Sequence, residues 1–338
     1  VQAAREAGED VGLLVVTSVV PKGPASGLLE PGDVLISVAG SRVSRFAPLE
    51  AILDSSVDEE IQLEVERGGQ LLRQVARVQD LHKITPHEYL ECGDAVFNNL
   101  SYQLARSYNL PVEGLGVYVA SQGYMLRHAG ISSGSLILQV GDRPTTTVQE
   151  LEAAFAAHPD GASVPVHYTS AANIAHRSVA LVRIDRTWFP MQLTTRDDPE
   201  LGLWKARPSP EPQTPVPVPE GGGSRQIGGK TRLAPATNDV ERRLVRSIVK
   251  ISVSVPLAID GMQQVEYIGT GMVVDAQRGF VICDRNTAPG ALCDCLLTFG
   301  SSCTIPAQCT YVHPLHNLAV LTYDPRLVDP DDVEAVKL

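Results

Sequence analysis

The first eighty residues alternate apolar and polar positions in a way that predicts short strands around one helix. Residues 12–20 are a β-branched run of strand length, and residues 60–67 alternate apolar with charged side chains, as a half-solvated strand does. Gly68 and Gly69 predict a hairpin turn into a returning strand over 71–78. The pattern therefore predicts a small β-rich module over residues 1–80.

Two features between these strands complete the first module. Residues 21–25 and the Pro31-Gly32-Asp33 sequence have turn chemistry. Residues 46–53 have helical spacing, with an apolar face made by Phe46, Leu49, Ile52 and Leu53.

A second module over residues 88–186 repeats this plan less cleanly. Ser133-Gly134-Ser135 takes the place of the Pro-Gly-Asp turn, and Thr146 or Thr147 is the predicted N-cap of an amphipathic helix. The expected strands and helix cover residues 116–119, 147–156, 164–168 and 178–184. An internal repeat supports both assignments more strongly than either copy does alone.

The pattern changes after the second module. Residues 187–207 hold Trp188 and Trp204, and they form either a strap packed on that module or an aromatic ligand cage. Residues 208–237 are rich first in proline and then in glycine, which predicts a linker. Residues 238–338 begin with a short helix that enters a strand at 249–255.

Composition excludes several partners. The 338 residues are 43% hydrophobic but only 5% aromatic, which favours small β-rich cores. The net charge of −11 argues against nucleic acid or an anionic membrane as a partner. No apolar run approaches the roughly 20 residues of a membrane span, and no signal peptide is visible. Because Val1 is not a start methionine, we interpret the chain as a fragment.

The six cysteines are unevenly placed, with Cys92 apart and five between 283 and 309. Zinc sites favour C-x-x-C pairs, whereas Cys293 and Cys295 point to one face of a strand. We therefore expect thiols in a reducing compartment, with disulfides and a metal site as alternatives. No cofactor or metal is predicted.

The two modules resemble PDZ domains of the HtrA type. The resemblance rests on residues 19–25 and 29–35 and on the order of the helix and the closing hairpin. The resemblance implies that each adds a peptide as an extra strand and holds its carboxylate on backbone N–H groups. In the second module that loop is placed upstream of the 116–119 strand, and it comprises Asp94, Ala95, Val96, Phe97, Asn98, Asn99 and Leu100. In the first module it should precede Val1.

A second candidate for the carboxylate loop is the sequence Gly114-Leu115-Gly116-Val117, which superficially resembles the loop of ordinary PDZ domains. We interpret it instead as a turn into a core strand.

The last region resembles the first half of a trypsin-like domain of the HtrA/Deg family, on Gly269-Thr270-Gly271, residues 279–286 and residues 313–321. The family pattern Thr-Asn-x-His, followed later by Asp-Leu-Ala-Val-Leu, carries the general base and the acid that orients it. This chain has Asn286 at the base position and Asn317 at the acid position. The chain also ends before a second barrel, so the resemblance implies no complete catalytic triad.

His313 and His316 are the only histidines in this region. We expect them to cap a turn or face solvent, the alternative being a displaced general base.

The sequence thus predicts a mainly β fold with short helices: two PDZ-like modules followed by the first β-barrel of a trypsin-like domain. This order resembles the long HtrA/Deg proteases of fungi and plants. The resemblance implies peptide-binding modules and a catalytically dead barrel, in a parent serine endopeptidase of protein quality control or apoptosis. The alternatives are an active endopeptidase, through a domain outside the chain, and a pure interaction scaffold.

The resemblance also bears on partners and location. It implies extended or C-terminal peptides as partners, a possible homo-oligomer through regions outside the chain, and an intracellular location. That location is the nucleus, with the chloroplast as the alternative. Substrate specificity and oligomeric state have no signal in the sequence.

Overall fold

The computed structural model describes residues 12–197, 203–210, 238–257, 259, 265–300 and 303–336. It divides into two compact units, Val1–Pro215 and Val216–Leu338. Most of the predicted linker, residues 211–237, lies outside the described residues. Pro208 and Ser209 do not: Pro208 ends a strand, and the N–H of Ser209 donates to the Met191 carbonyl at 3.0 Å. A linker that begins at 208 is therefore wrong by about two residues.

The first module is an antiparallel sheet in the order β2-β1-β3-β4 with one helix. Its elements are β1 (Val34–Val38), β2 (Ser41–Arg42), α1 (Phe46–Ser55), β3 (Glu60–Arg67) and β4 (Gln70–Arg77). The predicted helix and hairpin are confirmed, and alternate residues of β3 face the core.

Two expectations for this module are wrong. Residues 12–20 form no regular strand but make one bridge, Val15 to Val34, with backbone hydrogen bonds that join residues 14–16 to residues 32–35 only. Phe46 is 68% exposed, whereas Leu49, Ile52 and Leu53 pack on the core. Phe46 is the first residue of α1, and it lies beyond the part of the helix that packs on the core of the module.

The Pro-Gly-Asp turn is held by an ion pair between the buried Asp33 and the partly buried Arg67. The Asp33 side chain is 1% exposed and accepts hydrogen bonds from Arg67 Nε at 2.7 Å, Arg67 Nη2 at 2.8 Å and the Glu30 N–H at 2.9 Å. The guanidinium of Arg67 lowers the pKa of Asp33, although burial opposes this shift. The aspartate thus ties the turn before β1 to the end of β3.

The second module is built on a larger antiparallel sheet in the order β11-β10-β8-β7-β6-β5-β12-β13, with β9 paired to β8. The strands are β5 (Glu88–Cys92), β6 (Ala95–Asn99), β7 (Val117–Ser121), β8 (Ser135–Val140), β9 (Arg143–Pro144), β10 (Ser163–Ser170), β11 (Asn173–Arg183), β12 (Gln192–Asp197) and β13 (Leu203–Pro208). The helices are α2 (Leu81–Ile84), α3 (Tyr102–Tyr108), α4 (Gly123–His128) and α5 (Val148–Ala156).

Helix α5 begins where the sequence predicts. Thr147 is the N-cap: its Oγ1 accepts from the Glu150 N–H at 3.2 Å, and the Glu150 carboxylate accepts from the Thr147 N–H at 3.2 Å. This reciprocal pair satisfies two donors at the start of the helix. The buried face of α5 packs on the sheet, with the Phe155 and Phe97 rings 5.9 Å apart.

The second unit is a closed six-stranded barrel in the order β14-β15-β16-β19-β18-β17. Its elements are α6 (Asp239–Ser247), β14 (Ile248–Ser254), β15 (Glu266–Asp275), β16 (Phe280–Cys283), β17 (Asp294–Thr298), β18 (Thr304–Val312) and β19 (Ala319–Tyr323), followed by 3-10 turns at Pro325–Leu327 and Pro330–Asp332. The predicted barrel and its entering helix are confirmed, and small aliphatic and cysteine side chains dominate the core.

Within the described ranges, no helix combines the length and apolar character needed to cross a membrane.

Candidate functional site

The Gly-x-Gly sequence of β15 makes room for the loop that follows β16. A Cβ on Gly269 would lie 2.0 Å from Thr287 Oγ1, and a Cβ on Gly271 would lie 2.7 Å from both Ile251 Cδ1 and Val281 Cγ1. No side chain fits at either contact without displacing its neighbour. Gly269 is therefore required for the loop at 284–288 to pack against the barrel wall, and Gly271 for the close packing of Ile251 and Val281 on the neighbouring strands.

Asp284 fixes the conformation of that loop. Its carboxylate accepts from the Asn286 N–H at 2.8 Å, the Thr287 N–H at 3.0 Å and Thr287 Oγ1 at 2.8 Å. The hydrogen bond from the Thr287 hydroxyl, assisted by the backbone donors, lowers the pKa of Asp284. Asp284 therefore caps a turn, and Asn286 stands exposed on it.

Asn317 lies beside the same loop. Its Oδ1 accepts from the Arg285 N–H at 2.8 Å, and the Arg285 guanidinium donates to the Pro314 carbonyl at 3.2 Å. The segments carrying the predicted base and acid positions thus meet in space. The contact joins the Asn317 side chain to the backbone immediately before Asn286.

The two histidines near this loop have the roles that the sequence predicts. His313 Nδ1 accepts from the Leu315 N–H at 3.1 Å and from the His316 N–H at 2.9 Å, so it caps the turn. His316 is exposed, and its ring lies 4.5 Å from that of His313.

The chemistry of this arrangement is that of amides. An asparagine side chain offers one carbonyl acceptor and two N–H donors, and neither nitrogen titrates near neutral pH. Asn317 uses its acceptor to hold the loop, where a charged acid would orient an imidazole. The arrangement can position a backbone, but these two side chains cannot transfer a proton.

The segment predicted as a carboxylate loop in the second module is a strand. Residues 95–99 form β6, which pairs with β5 on one side and β7 on the other, and Phe97 is fully buried. Asp94 is exposed in the turn before it, and Leu100 is buried after it. The alternation of buried Ala95 and Phe97 is that of a strand, so residues 95–99 are not a loop. That residues 94–100 bind a peptide carboxylate stays a prediction.

Strand β5 and its turn into β6 were missed from the sequence. Gly93 and Asp94 both have positive φ, at 56° and 64°, as a two-residue hairpin turn requires. A Cβ on Gly93 would lie 2.4 Å from Met125 Cβ, so glycine is required there for space as well. The Gly93-Asp94 pair after the alternating Tyr89-Leu90-Glu91-Cys92 was the signal that could have found the hairpin.

The Gly114 to Val117 sequence is a turn into a core strand, as predicted. Gly114 and Gly116 have positive φ, and Val117 begins β7, where it is fully buried. A Cβ on Gly116 would lie 2.7 Å from the Ile137 carbonyl oxygen. Because β7 is paired on both sides, it offers no free edge to a peptide.

The described residues include no cluster of three or more histidine, cysteine, aspartate or glutamate side chains arranged to hold a metal ion. The Sγ atoms of Cys293 and Cys295 lie 3.5 Å apart on the same side of the chain, as their spacing predicts.

Comparison with known proteins assigns both modules. A family model described as a PDZ domain matches residues 15–67, and one described as a PDZ-like domain matches residues 83–161.

Similar proteins extend over the whole chain. The pro-apoptotic serine protease NMA111 of Coccidioides immitis is 38% identical over 330 residues, covering 97% of this chain and 31% of the relative. The pro-apoptotic serine protease nma111 of Neosartorya fischeri is 37% identical over 341 residues, covering 99% of this chain and 32% of the relative. The pro-apoptotic serine protease NMA111 of Ajellomyces capsulatus is 38% identical over 323 residues, covering 95% of this chain and 30% of the relative. The chain spans about a third of the length of these relatives.

The two module matches and the closed six-stranded barrel agree with these relatives. The chain contains two PDZ domains and a barrel of the trypsin-like kind, and over nearly its whole length it is homologous to the fungal pro-apoptotic serine proteases of the HtrA type.

Proposed function

We propose that this chain is a non-catalytic recognition and assembly segment of an HtrA-type serine protease. Its PDZ domains recognise extended or C-terminal segments of proteins, and its barrel is a pseudoprotease that serves assembly. The observation that carries the proposal is the amide pair: the resemblance places Asn286 and Asn317 at the base and acid positions, and the Asn317 side chain accepts from the backbone of the loop.

The parent protein is a serine endopeptidase in this proposal. The relatives named above are called serine proteases, and each is about three times as long as this chain. A catalytic domain outside the chain would supply the activity, and the segment described here would select or hold substrates. The alternative, a pure interaction scaffold, has weaker support because the relatives named above are all called serine proteases.

The setting of the parent protein is proposed from the same resemblance. Its role is in apoptosis or protein quality control, in the nucleus, and any homo-oligomer forms through regions outside the chain. The fungal origin of the relatives named above favours the nucleus over the chloroplast.

The amide pair can be tested by restoring the missing groups. The variants are Asn286→His, Asn317→Asp and the double substitution, each assayed with a casein substrate and compared with the unmodified chain. We expect no hydrolysis from any of the four proteins, because triad members act as a unit and a base without its nucleophile gives no acyl transfer. Circular dichroism is the control that each variant is folded.

Hydrolysis by the unmodified chain that disappears on heat unfolding would overturn the proposal. Hydrolysis gained in the double variant would show instead that a nucleophile is already positioned beside the loop, which would also contradict a purely structural barrel.

A further inference from the structure

We propose that β5 is an intramolecular ligand that fills the peptide groove of the second PDZ domain. The inference rests on the proposed recognition function and concerns its regulation. A PDZ domain binds a peptide as a strand added to an exposed sheet edge. In the proposal that edge belongs to β6. One side of β6 pairs with β7, and the position on its other side is held by Glu88–Cys92 of the chain itself.

The pairing has the geometry of an added strand. β5 runs antiparallel to β6, with Leu90 opposite Phe97 and Cys92 opposite Ala95. The chain then continues through the tight Gly93-Asp94 turn, where a separate peptide would end in its carboxylate. At the place where a separate peptide would present its carboxylate to backbone N–H groups, this chain therefore has a peptide bond.

The side chains of β5 fill the groove as peptide anchors would. Leu90 and Cys92 are fully buried in one core cluster with Phe97 and with Leu151 and Phe155 of α5, the helix that forms the other wall. Tyr89 and Glu91, the alternate residues, remain only partly buried. From the sequence of β5 we infer the peptides that the groove binds. They are extended segments with a leucine two residues before a small apolar residue.

Polar contacts hold the start of β5 against the helix wall. Glu88 Oε1 accepts from Asn99 Nδ2 at 3.1 Å, and Glu88 Oε2 accepts from Gln149 Nε2 at 2.5 Å. Asn99 in turn accepts from the Val148 N–H at the start of α5 at 2.9 Å. One carboxylate therefore bridges the strand that fills the groove to both of its walls.

The strap after the second module closes over this strand. β12 pairs with the outer side of β5, with Leu193 opposite Leu90, and β13 pairs with β12. Arg207 of β13 reaches α5 through a bidentate contact with the buried carboxylate of Glu152, at 2.9 and 2.7 Å, and Ser209 donates to the same carboxylate. The strap thus clamps the helix wall with β5 beneath it.

A groove filled in this way has a low apparent affinity for other peptides. A tethered ligand competes at an effective concentration on the order of millimolar, and the apparent dissociation constant rises by the inverse of the open fraction. A peptide that would bind an open groove at micromolar concentration therefore binds this chain only near or above about 1 mM.

The test weakens the packing of β5 in the groove and adds a free peptide that can take its place. Leu90→Ala removes the main anchor from β5 without changing the groove walls, and the control Val182→Ala makes a cavity on β11, in the same core but far along the sheet. The probe is a fluorescent heptapeptide with the sequence of residues 86–92, valine replacing the last cysteine, and a free carboxylate. A second probe has aspartate in place of leucine.

We expect weak binding to the unmodified chain and to Val182→Ala, and at least about tenfold tighter binding to Leu90→Ala, only for the leucine probe. When this probe binds, the rate of amide hydrogen exchange should rise in residues 88–92. It should not fall in peptides from the barrel. If Leu90→Ala does not fold, the double variant Arg207→Ala with Glu152→Gln loosens the clamp instead. Lys205→Ala, whose side chain pairs with Asp197 on the neighbouring strand, is its matched control.

Two results would overturn the inference. One is micromolar binding by the unmodified chain with unchanged exchange in residues 88–92. The other is a folded variant of either kind that binds the leucine probe no better than its control, which would make β5 a permanent strand. Neither result depends on hydrolysis, so a failure here is distinct from a failure of the non-catalytic proposal.

Discussion

Asp33 is the residue whose charge most directly supports the first module. Because Arg67 lowers its folded pKa, the unfolded chain binds a proton more readily, and the ion pair stabilises the fold above about pH 4. We expect Asp33→Asn to lower the free energy of unfolding by about 1–3 kcal/mol near pH 7, since a charged hydrogen-bond acceptor is lost. The difference should shrink as the pH falls below 4.

Urea unfolding of both proteins between pH 3 and pH 7 measures this dependence. Asp54→Asn, at an exposed position in α1, is the control and should change little. A difference between wild type and Asp33→Asn that stays constant with pH would show that the turn is held by packing instead of by the ionised carboxylate.

Cys293 should be the most reactive thiol of the chain. The hydrogen bond from Cys295 lowers the pKa of Cys293, which is half-buried. Burial raises the pKa of Cys92 and Cys283 to about 12, and that of Cys309 to about 11. Since the thiolate is the nucleophile, limiting iodoacetamide at pH 7.5 should modify Cys293 first.

Peptide mapping by mass spectrometry gives the order of modification. Cys295→Ser exchanges the thiol that donates to Cys293 for a hydroxyl and should change the rate at Cys293 only. Earlier modification of Cys92 or Cys309 in the folded chain would contradict the assignment.

At the scale of elements, the sequence predicted those parts whose signal is local. The hairpin of β3 and β4 follows from alternation and two glycines, and α5 follows from Thr147, Glu150 and an apolar face. Each of these elements is determined by its own residues, so a single sequence is enough.

The sequence-based predictions of strands were wrong or incomplete where pairing with distant segments decides the structure. Residues 12–20 have the composition of a strand, but they make only one bridge to β1. Conversely, Glu88–Cys92 is short and partly charged, and it becomes a central strand because β6 and β12 pair with it on both sides. The peptide-binding role of residues 94–100 stays a prediction, but the strand that pairs beside them was missed because no local signal shows which segment pairs with β6.

The candidate site in the barrel was predicted from a sequence motif. Asn286 and Asn317 were identified by their places in a motif, and the structure brings their segments together through Arg285. The role of Asp284 as the cap of that loop was not predicted, because it depends on donors that the turn itself creates.

At the scale of the whole molecule, the chain consists of two compact units, for which we propose a non-catalytic role. The first unit contains the two PDZ domains, in the second of which β5 pairs beside β6, and the second unit is a barrel in which the Asn317 side chain holds the backbone before Asn286. The relatives of about three times this length are called serine proteases, and the proposal places catalysis in a part of the parent protein outside this chain.

The central claim, that this chain is not itself a serine hydrolase, is tested most directly by covalent labelling. The folded chain is incubated with a fluorophosphonate probe near pH 8, with trypsin labelled in parallel as the positive control, and its intact mass is measured. The account predicts no mass increase, because Asn286, at the position that the resemblance gives to the base, cannot activate a serine. Stoichiometric addition of one probe to a serine of the folded chain, lost on unfolding, would contradict it.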